Sequence, residues 1–461
     1  MIEVDARIHD RYSLEFKMGF VAGSQPEERD FKVGMWIFVP SVLDITPASF
    51  TPSEFYRCVK SNIRLMTPQF RLCDIVGGKA APLGNVISAS DSDYEYQLKL
   101  FCAIVKSSLR AQVKVILAAS ENGRKALCEA LVADIRAIFG AVDGLRASET
   151  GRNHTDCHDY CNEFLMNIVA QGCIKIYLAG RNSDIAALLH EVDGRREAGG
   201  FPKICAGSED GNAAFLHRRG VLKKYVESLL YLRVPKKRDG VFAEQAYFSL
   251  AAGLAMIFAT VVAWAFQRHF GNLTWPLFIA LIISYMLKDR IKELMRFWFA
   301  HRLSDRYYDN RARMSIHGTD IGVLKEAFDF IPQNRVPSDV DALRNSSHLF
   351  TAENHFSDEN VLLYRKKVHL DRERMDKVST YSFSGVNDII RLQVRPFLRK
   401  MDDPGQTFYL LDGQDELQAV ACSKEYHINI VLQYRYGVTT EYKRFRLTLD
   451  RDGIKNLEAI L

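Results

Sequence analysis

Two long uncharged apolar segments near the middle of the chain constrain its fold more than any other feature of the sequence. Residues 246–266 read AYFSLAAGLAMIFATVVAWAF, and residues 273–287 read LTWPLFIALIISYML. At about 1.5 Å per residue, a helix of the first length matches a hydrocarbon core about 30 Å thick. The second segment is shorter, but Lys288 and Arg290 can reach back to the headgroups from a continuing helix. The sequence therefore predicts a two-helix transmembrane hairpin with spans at about 246–266 and 271–287.

A pair of core helices in a soluble protein is the competing explanation for these two segments. Core helices are usually shorter and retain some polar residues. Here only residues 267–272 separate the segments, and basic residues flank both of them. These two features favour the membrane hairpin, although the soluble alternative stays open.

Basic residues are abundant on both sides of the apolar segments, whereas the loop between the segments holds only Arg268. The preceding flank contains Arg218, Arg219, Lys223, Lys224, Arg233, Lys236, Lys237 and Arg238, and the following flank contains Lys288, Arg290, Lys292, Arg296, Arg302 and Arg306. Because cytoplasmic flanks of membrane helices are enriched in Lys and Arg, this distribution predicts that both chain termini lie in the cytoplasm.

The basic flanks are also candidates for binding anionic lipid headgroups, at about 1 kcal/mol per residue near the surface. The candidate headgroup residues are Lys236, Lys237, Arg238, Lys288, Arg290 and Lys292. A role in setting the topology alone is the alternative. The net charge of +5 over 461 residues does not indicate a nucleic-acid partner. The predicted partner is thus a lipid bilayer with anionic headgroups, and a homo-oligomer or a protein partner stays open.

The cysteines support a cytoplasmic location for the large flanking regions. The chain has nine cysteines, an odd number, and eight of them lie between Cys58 and Cys205. A chain of this size does not need disulfides for stability, and the cysteine spacings form no paired framework. We therefore expect reduced thiols in a reducing compartment.

The first 240 residues are predicted to form a mainly helical cytoplasmic domain with a leading β-hairpin. Residues 14–20 and 31–39 alternate apolar and polar side chains, and the polar residues 23–30 join them. Thr51, followed by a proline and then Glu54, matches a helix start with a capping box. Helical patterns dominate from there to about residue 230.

The last part of the chain changes to short β-branched and aromatic runs, which turns such as Asp412-Gly413 separate. This pattern predicts a β-rich cytoplasmic domain, either a sandwich or a barrel. The predicted fold class is an α+β membrane protein with three consecutive parts. These parts are the helical domain at 1–240, the hairpin with its basic flanks at 241–306, and the β-rich domain at 307–461.

One short cluster contains four side chains that can bind a metal, namely His154, Cys157, His158 and Cys161. On a helix these residues fall close to one face, and zinc prefers such nitrogen and sulfur donors. Structural zinc sites usually take ligands from two separate elements, however, and the sequence has no second pair at a suitable spacing. We therefore favour a polar helix start over a metal site, expect less than about one-tenth equivalent of zinc, and predict no cofactor.

Several segments resemble a group of bacterial inner-membrane proteins of unknown function. They are GMWIFVP near the start, YVESLLYLRV, AAGLAM, QRHFGN and YMLKDRIKELMR in the middle, and EYHINIVLQYRY near the end. The resemblance is distributed over most of the chain rather than concentrated in a catalytic motif. It implies a location in the bacterial inner membrane and a central two-helix hairpin, and it implies no activity.

The sequence holds no recognisable catalytic motif. It lacks the phosphate-binding G-x-x-x-x-G-K-[ST], the dinucleotide-binding G-x-G-x-x-G, and the H-E-x-x-H and G-x-S-x-G signatures of hydrolases. We therefore predict a membrane-anchored interaction or assembly protein that faces the cytoplasm and has no catalytic residues. The alternative is a membrane-bound enzyme whose active site lies in a cytoplasmic cleft that no short motif reveals.

Overall fold

The computed structural model shows an α+β structure that divides into two units. Unit 1 comprises Met1–Asn62, Arg233–Val378 and Asp388–Leu461, and unit 2 comprises Ile63–Leu232 and Ser379–Asn387. The described residues are 3–21, 29–77, 81–148, 155–239, 241–271, 274–304, 308–316, 318–345, 359–378, 381, 383, 385–411 and 416–460.

The described residues form strands and helices. Every strand lies wholly or partly in unit 1, and helices occur in both units. The strands are β1 (Glu3–Asp10), β2 (Ser13–Val21), β3 (Asp30–Pro40), β4 (Val59–Leu65), β5 (Lys236–Arg238), β6 (Asn310–Ile316), β7 (Thr319–Ile331), β8 (Glu359–Leu370), β9 (Gly385–Gln393), β10 (Gly405–Leu411), β11 (Leu417–Ser423), β12 (Tyr426–Tyr436), β13 (Thr439–Asp450) and β14 (Gly453–Ile460). The helices are α1 (Pro52–Cys58), α2 (Pro82–Ile87), α3 (Tyr94–Ala118), α4 (Glu121–Ser148), α5 (Thr155–Ala179), α6 (Ser183–Ala198), α7 (Glu209–Glu227), α8 (Val241–Phe270), α9 (Trp275–Ser304), α10 (Ser338–Asn345), α11 (Arg372–Val378) and α12 (Arg395–Leu398).

An eight-stranded sheet forms the centre of unit 1. Its strand order is β14-β13-β12-β3-β8-β7-β6-β5, and each neighbouring pair is antiparallel. Strand β3, from the start of the chain, therefore lies between β12 and β8, which come from its last third. A second sheet has the order β1-β2-β9-β4, and β10 pairs with β11 alone. The predicted division after residues 240 and 306 does not coincide with the two units, because the large sheet joins strands from both ends of the chain.

The predicted leading β-hairpin is wrong, although both of its strands exist. Strand β2 pairs with β1 and β9, whereas β3 lies in the other sheet. The alternation of apolar residues defines a strand and its buried face, but it does not identify the strand's partner. Residues 35–39 of β3 are buried without interruption, as in a strand that is covered on both faces. The residues that connect the two strands lie partly outside the described part of the chain.

The predicted helix start at Thr51 is confirmed. Thr51 caps α1 with its side chain, which accepts a hydrogen bond from the Glu54 N–H. The Glu54 carboxylate in turn accepts a hydrogen bond of 2.7 Å from the Thr51 N–H. These two bonds satisfy backbone donors that the first turn of a helix cannot pair internally.

The predicted two-helix transmembrane hairpin is wrong. Helices α8 and α9 exist and pack against each other, but among the described residues only α8 has a segment, Gln245–His269, long and apolar enough to cross a membrane. The uncharged part of α9 is the 13 residues 275–287, and seven charged residues follow within the helix. Thirteen residues span only about 20 Å, which is less than a hydrocarbon core of about 30 Å. Extending the helix through charged residues lengthens it without lengthening its apolar part.

Unit 2 contains the helices α2 to α7, with α5 in a central position. Helix α5 packs against α3, α6 and α7. Residues 163–167 of α5 are buried without interruption, so this helix is covered on several faces rather than on one stripe. This arrangement brings buried polar residues of α5 next to residues of α3 and α7.

Candidate functional site

Helices α8 and α9 contact each other through small residues. The side chains that the pair buries belong to Ala251 and Ala255 of α8 and to Ala280 and Ser284 of α9. Each pair is four residues apart and therefore lies on one helix face. The Ser284 hydroxyl lies 3.5 Å from the backbone carbonyl oxygen of Ala259 and donates a hydrogen bond to it. Small residues allow two helix backbones to approach closely, which is how helices pack where the solvent is apolar.

The large apolar residues of the two helices point away from this contact. We define the apolar helix surface by twelve of them, each more than two-fifths exposed: Leu250, Leu254, Met256, Ile257, Val261, Trp264, Trp275, Phe278, Ile282, Ile283, Tyr285 and Met286. A helix pair in water normally buries its large apolar residues and exposes its polar ones. This pair does the reverse, and so wide an exposed apolar surface indicates a contact with an apolar partner.

Both ends of the helix pair return to the same edge of the large sheet. Strand β5 ends two residues before α8 begins, and β6 follows α9. The two strands are antiparallel neighbours, with Lys237 opposite Arg311. The chain therefore enters and leaves the helix pair on one side of it.

The predicted headgroup residues of β5 differ in their surroundings. The Lys236 ammonium lies 2.5 Å from the carboxylate of Glu326, which is fully buried. Lys236, whose side chain is 33% exposed, is therefore paired with a buried carboxylate of unit 1. Lys237 and Arg238 are exposed on the same strand.

The predicted headgroup residues of α9 follow its apolar part directly. Lys288 lies over the ring of Tyr285, 4.0 Å from its centroid. Arg290 lies 3.3 Å from the Glu293 carboxylate, and Lys292 is half-buried. Lys288 is thus a cation at the boundary between the apolar and charged parts of α9.

The structure buries the described members of the predicted metal cluster within unit 2. Cys157, His158 and Cys161 lie on α5, and His154 lies outside the described residues. The His158 Nε2 is 3.0 Å from the carbonyl oxygen of Val142. Among the described residues, no group of three or more His, Cys, Asp or Glu side chains is arranged to hold a metal ion.

The environment of the two cysteines keeps their thiols protonated. A hydrogen bond between them, together with burial, raises the pKa of Cys157. A hydrogen bond with Cys102, together with burial, raises the pKa of Cys161 well above its usual value. Because the thiolate is the form that binds metals and reacts as a nucleophile, this environment opposes both roles.

Thiol labelling should separate the exposed cysteines from the buried ones. In the native protein we expect rapid modification by an aromatic disulfide reagent only at Cys73, Cys205 and Cys422, which are exposed. The other six thiols are buried and should react only after the protein unfolds. Peptide mass spectrometry after timed labelling gives the rate at each site, and denatured protein with nine reactive thiols is the control. Modification of Cys157 or Cys161 at the rate of the exposed group would contradict this assignment.

Sequence reasoning missed a group of fully buried charged residues in unit 1. The Lys366 ammonium lies 2.6 Å from both the Asp388 carboxylate and the Ser61 hydroxyl. The Tyr364 hydroxyl donates a hydrogen bond of 2.8 Å to Glu326, whose carboxylate is also 3.9 Å from Lys366. The members come from separate strands of two sheets, so no local motif marks them. The one signal was a lysine at a position in β8 whose neighbours two residues away are apolar or aromatic.

The charge states in this buried group follow from burial and from the partners. Burial raises the pKa of Asp388, and Lys366 offsets only part of that effect. Burial also raises the pKa of Glu326, but Lys366 and Lys236 outweigh burial and hold it below its usual value. The Lys366 side chain donates hydrogen bonds to the oxygen atoms of Asp388 and Ser61. Because Lys366, Glu326 and Asp388 are all fully buried, the group is an internal element of unit 1 and not a surface site.

Comparison with known proteins identifies no relative of this chain. The resemblance to bacterial inner-membrane proteins therefore stays a prediction that depends on the segments quoted above. The chain matches no known protein family, no curated protein and no solved structure.

Proposed function

We propose that α8 attaches this protein to a lipid bilayer and that the protein serves there as an interaction or assembly protein. The single observation that carries the proposal is the inverted packing of α8 and α9, with small residues inside and large apolar residues outside. Fully exposing a large apolar side chain to water costs about 1.5–3 kcal/mol relative to burying it. A bilayer removes that cost along the whole length of the helix.

The position and exposure of α8 support attachment over the competing explanation of a core helix. Only 11% of the most apolar stretch of α8 is buried within the protein, whereas a core helix is mostly buried. The antiparallel pairing of β5 with β6 holds both ends of the helix pair at one edge of the large sheet.

The proposed location is the cytoplasmic face of a bacterial inner membrane, with both termini in the cytoplasm. The basic flanks and the nine free cysteines support it. Lys237 and Arg238 are exposed cations next to the helix pair, and Lys288 is a half-buried one. Each can attract an anionic headgroup with about 1 kcal/mol near the surface.

The test is a flotation assay of the full-length chain with preformed vesicles. About one-fifth of the vesicle lipid is anionic, which approximates the surface charge of a cell membrane. We expect the native chain to float with the vesicles and to resist washing with high salt. The variant Leu254→Lys with Ile257→Lys places two charges near the middle of α8. Each should cost about 2.5–3.5 kcal/mol at the centre of a bilayer, so partition into the vesicles should fall more than about a hundredfold.

The matched control is Leu178→Lys with Ile204→Lys, because these two apolar residues are at least as exposed as Leu254 and Ile257 but lie in unit 2. We expect this control to float like the native chain. A native chain that stays as a soluble oligomer in the presence of vesicles would contradict the proposal, since a second copy would then cover the apolar helix surface. Equal flotation of both lysine variants would contradict it as well.

A further inference from the structure

A cavity of about 300 Å³ opens on unit 2 between α3, α5 and α7. Its deep end is formed by the buried residues Lys106, Phe164 and Asn167. Its mouth includes the exposed residues Arg110 and Lys223. Cavities that bind small molecules start at about this size and combine apolar walls with a few convergent polar groups.

Four cations line this cavity, and no carboxylate does. Lys106 and Arg110 lie one turn apart on α3, and Arg219 and Lys223 lie one turn apart on α7. The side chains of Arg219 and Lys223 have no ion pair or hydrogen bond with other residues that the structure describes. Four positive charges around one small cavity repel each other unless an anion occupies it.

The pKa of Lys106, the buried cation of the cavity, reflects both this repulsion and burial. Burial, together with the nearby Arg110 and Lys223, lowers the pKa of Lys106 to about 8, even though Lys106 pairs with the Glu227 carboxylate. Glu227 is itself shared with Arg64 at 3.6 Å and does not line the cavity. Glu227 therefore divides its charge between Lys106 and Arg64, and it forms no ion pair with Arg219 or Lys223.

A buried amide supplies a separate indication of a ligand. Asn167 is only 7% exposed, and its side-chain oxygen accepts a hydrogen bond of 3.0 Å from Arg196. That bond fixes the amide orientation, and the side-chain nitrogen is left without a hydrogen-bond partner. A buried donor without a partner costs about 1–3 kcal/mol of stability. A ligand that supplies an acceptor to this nitrogen would recover that free energy.

Apart from Gln171 and Gly220, the remaining lining residues of the cavity are apolar. Phe164 and Ile168 of α5 lie on one side, and Leu216 of α7 lies on the other. A bare inorganic anion would satisfy the cations but leave these walls exposed. A carboxylate would supply only one negative charge against four positive ones.

We propose that this cavity binds an organic phosphate monoester, with the phosphate group at Lys106, Asn167 and Arg219 and the organic group against Phe164 and Ile168. A phosphate monoester carries about −1.5 to −2 charges near pH 7 and three acceptor oxygens, which match several cations and an amide donor. The site is independent of the attachment through α8. The same chemistry occurs in soluble phosphate esters and in phosphate lipid headgroups.

The test is calorimetric titration of the detergent-solubilised full-length chain with phenyl phosphate. We expect a dissociation constant below about 1 mM, and at least about tenfold weaker binding of inorganic phosphate and of phenol. Arg219→Gln with Lys223→Gln should weaken binding of phenyl phosphate at least about tenfold, because it removes two cations. Lys175→Gln on α5 with Lys224→Gln on α7 is the control on helices that line the cavity, and it should change binding by less than about twofold.

A second variant tests the amide and leaves the packing unchanged. Asn167→Asp keeps the side-chain shape and the contact with Arg196, but it replaces the donor with a negatively charged oxygen, so phenyl phosphate binding should fall at least about tenfold. Competition with dihexanoyl phosphatidic acid identifies the source of the ligand: tighter binding than phenyl phosphate indicates a lipid headgroup, and weaker binding indicates a soluble ester. Absence of phenyl phosphate binding, or equal weakening in the cavity and control variants, would overturn the proposal.

Discussion

Replacing Lys366 with methionine is expected to lower the free energy of unfolding of unit 1 by about 3–5 kcal/mol. The variant removes one charge from a fully buried group and leaves the Asp388 carboxylate without its ammonium partner at 2.6 Å. Ser61 loses the same partner. A buried charge that has lost its counter-ion is among the most destabilising changes a fold can undergo, because water cannot replace the missing partner.

Urea titration monitored by tryptophan fluorescence measures the free energy of unfolding of unit 1. The tryptophans all lie in unit 1, at positions 36, 264, 275 and 298. Lys367→Met is the control on the same strand, since Lys367 is half-buried and pairs with Asp30 at 2.8 Å near the surface. That control should cost no more than about 1 kcal/mol.

A compensating variant separates loss of the charge pair from loss of packing. Lys366→Met combined with Asp388→Leu removes both members of the ion pair, and well-packed apolar replacements of buried pairs are often neutral. We expect the double variant to recover at least about half of the loss caused by Lys366→Met. If both variants lose the same stability, the effect comes from packing and the account of the buried group is wrong.

Glu227→Gln is expected to destabilise unit 2 by about 3 kcal/mol at pH 7, the lower end for a broken buried ion pair. Glu227 is 2% exposed and lies between Lys106 and Arg64. Burial raises the pKa of Glu227, but Arg64 and then Lys106 outweigh burial and hold it below its usual value. The loss stays near the lower end because Lys106, whose pKa burial lowers to about 8, can release its proton in the variant.

The loss caused by Glu227→Gln should depend on pH in a defined direction. Without Glu227 the pKa of Lys106 falls further below 8, since that carboxylate raises it in the native protein. At pH values between the pKa of Lys106 in the variant and its pKa in the native protein, the folded variant binds fewer protons than the folded native protein. Raising the pH therefore stabilises the variant relative to the native protein. The difference in stability should therefore shrink from about pH 6 to about pH 8.

Hydrogen exchange in peptides of α3 and α7 gives the local stability at each pH. Glu191→Gln is the control, because Glu191 is half-exposed and its partner Arg136 lies 3.0 Å away near the surface. This control should stay within about 0.5 kcal/mol of the native protein at every pH. A difference for Glu227→Gln that grows with rising pH would contradict the assigned charge states.

Local features of this protein follow from the amino-acid sequence alone. Thr51 and Glu54 predicted a capped helix start, and the structure has the capping box there. The uncharged residues 246–266, predicted as a helix, lie within α8, where Gln245–His269 is long and apolar enough to cross a membrane. These predictions succeed because a cap and an uninterrupted apolar helix depend on residues a few positions apart.

The way in which distant segments combine depends on tertiary packing. The partners of β2 and β3 lie far away along the chain, so alternation identified both strands and still gave the wrong hairpin. The second predicted span failed because seven charged residues belong to the same helix as its short apolar part. Lys366 with Asp388, and the cations of α3 with those of α7, meet only after the chain folds. Pairing of strands and convergence of charges are set by packing between segments far apart in sequence, and no local pattern encodes them.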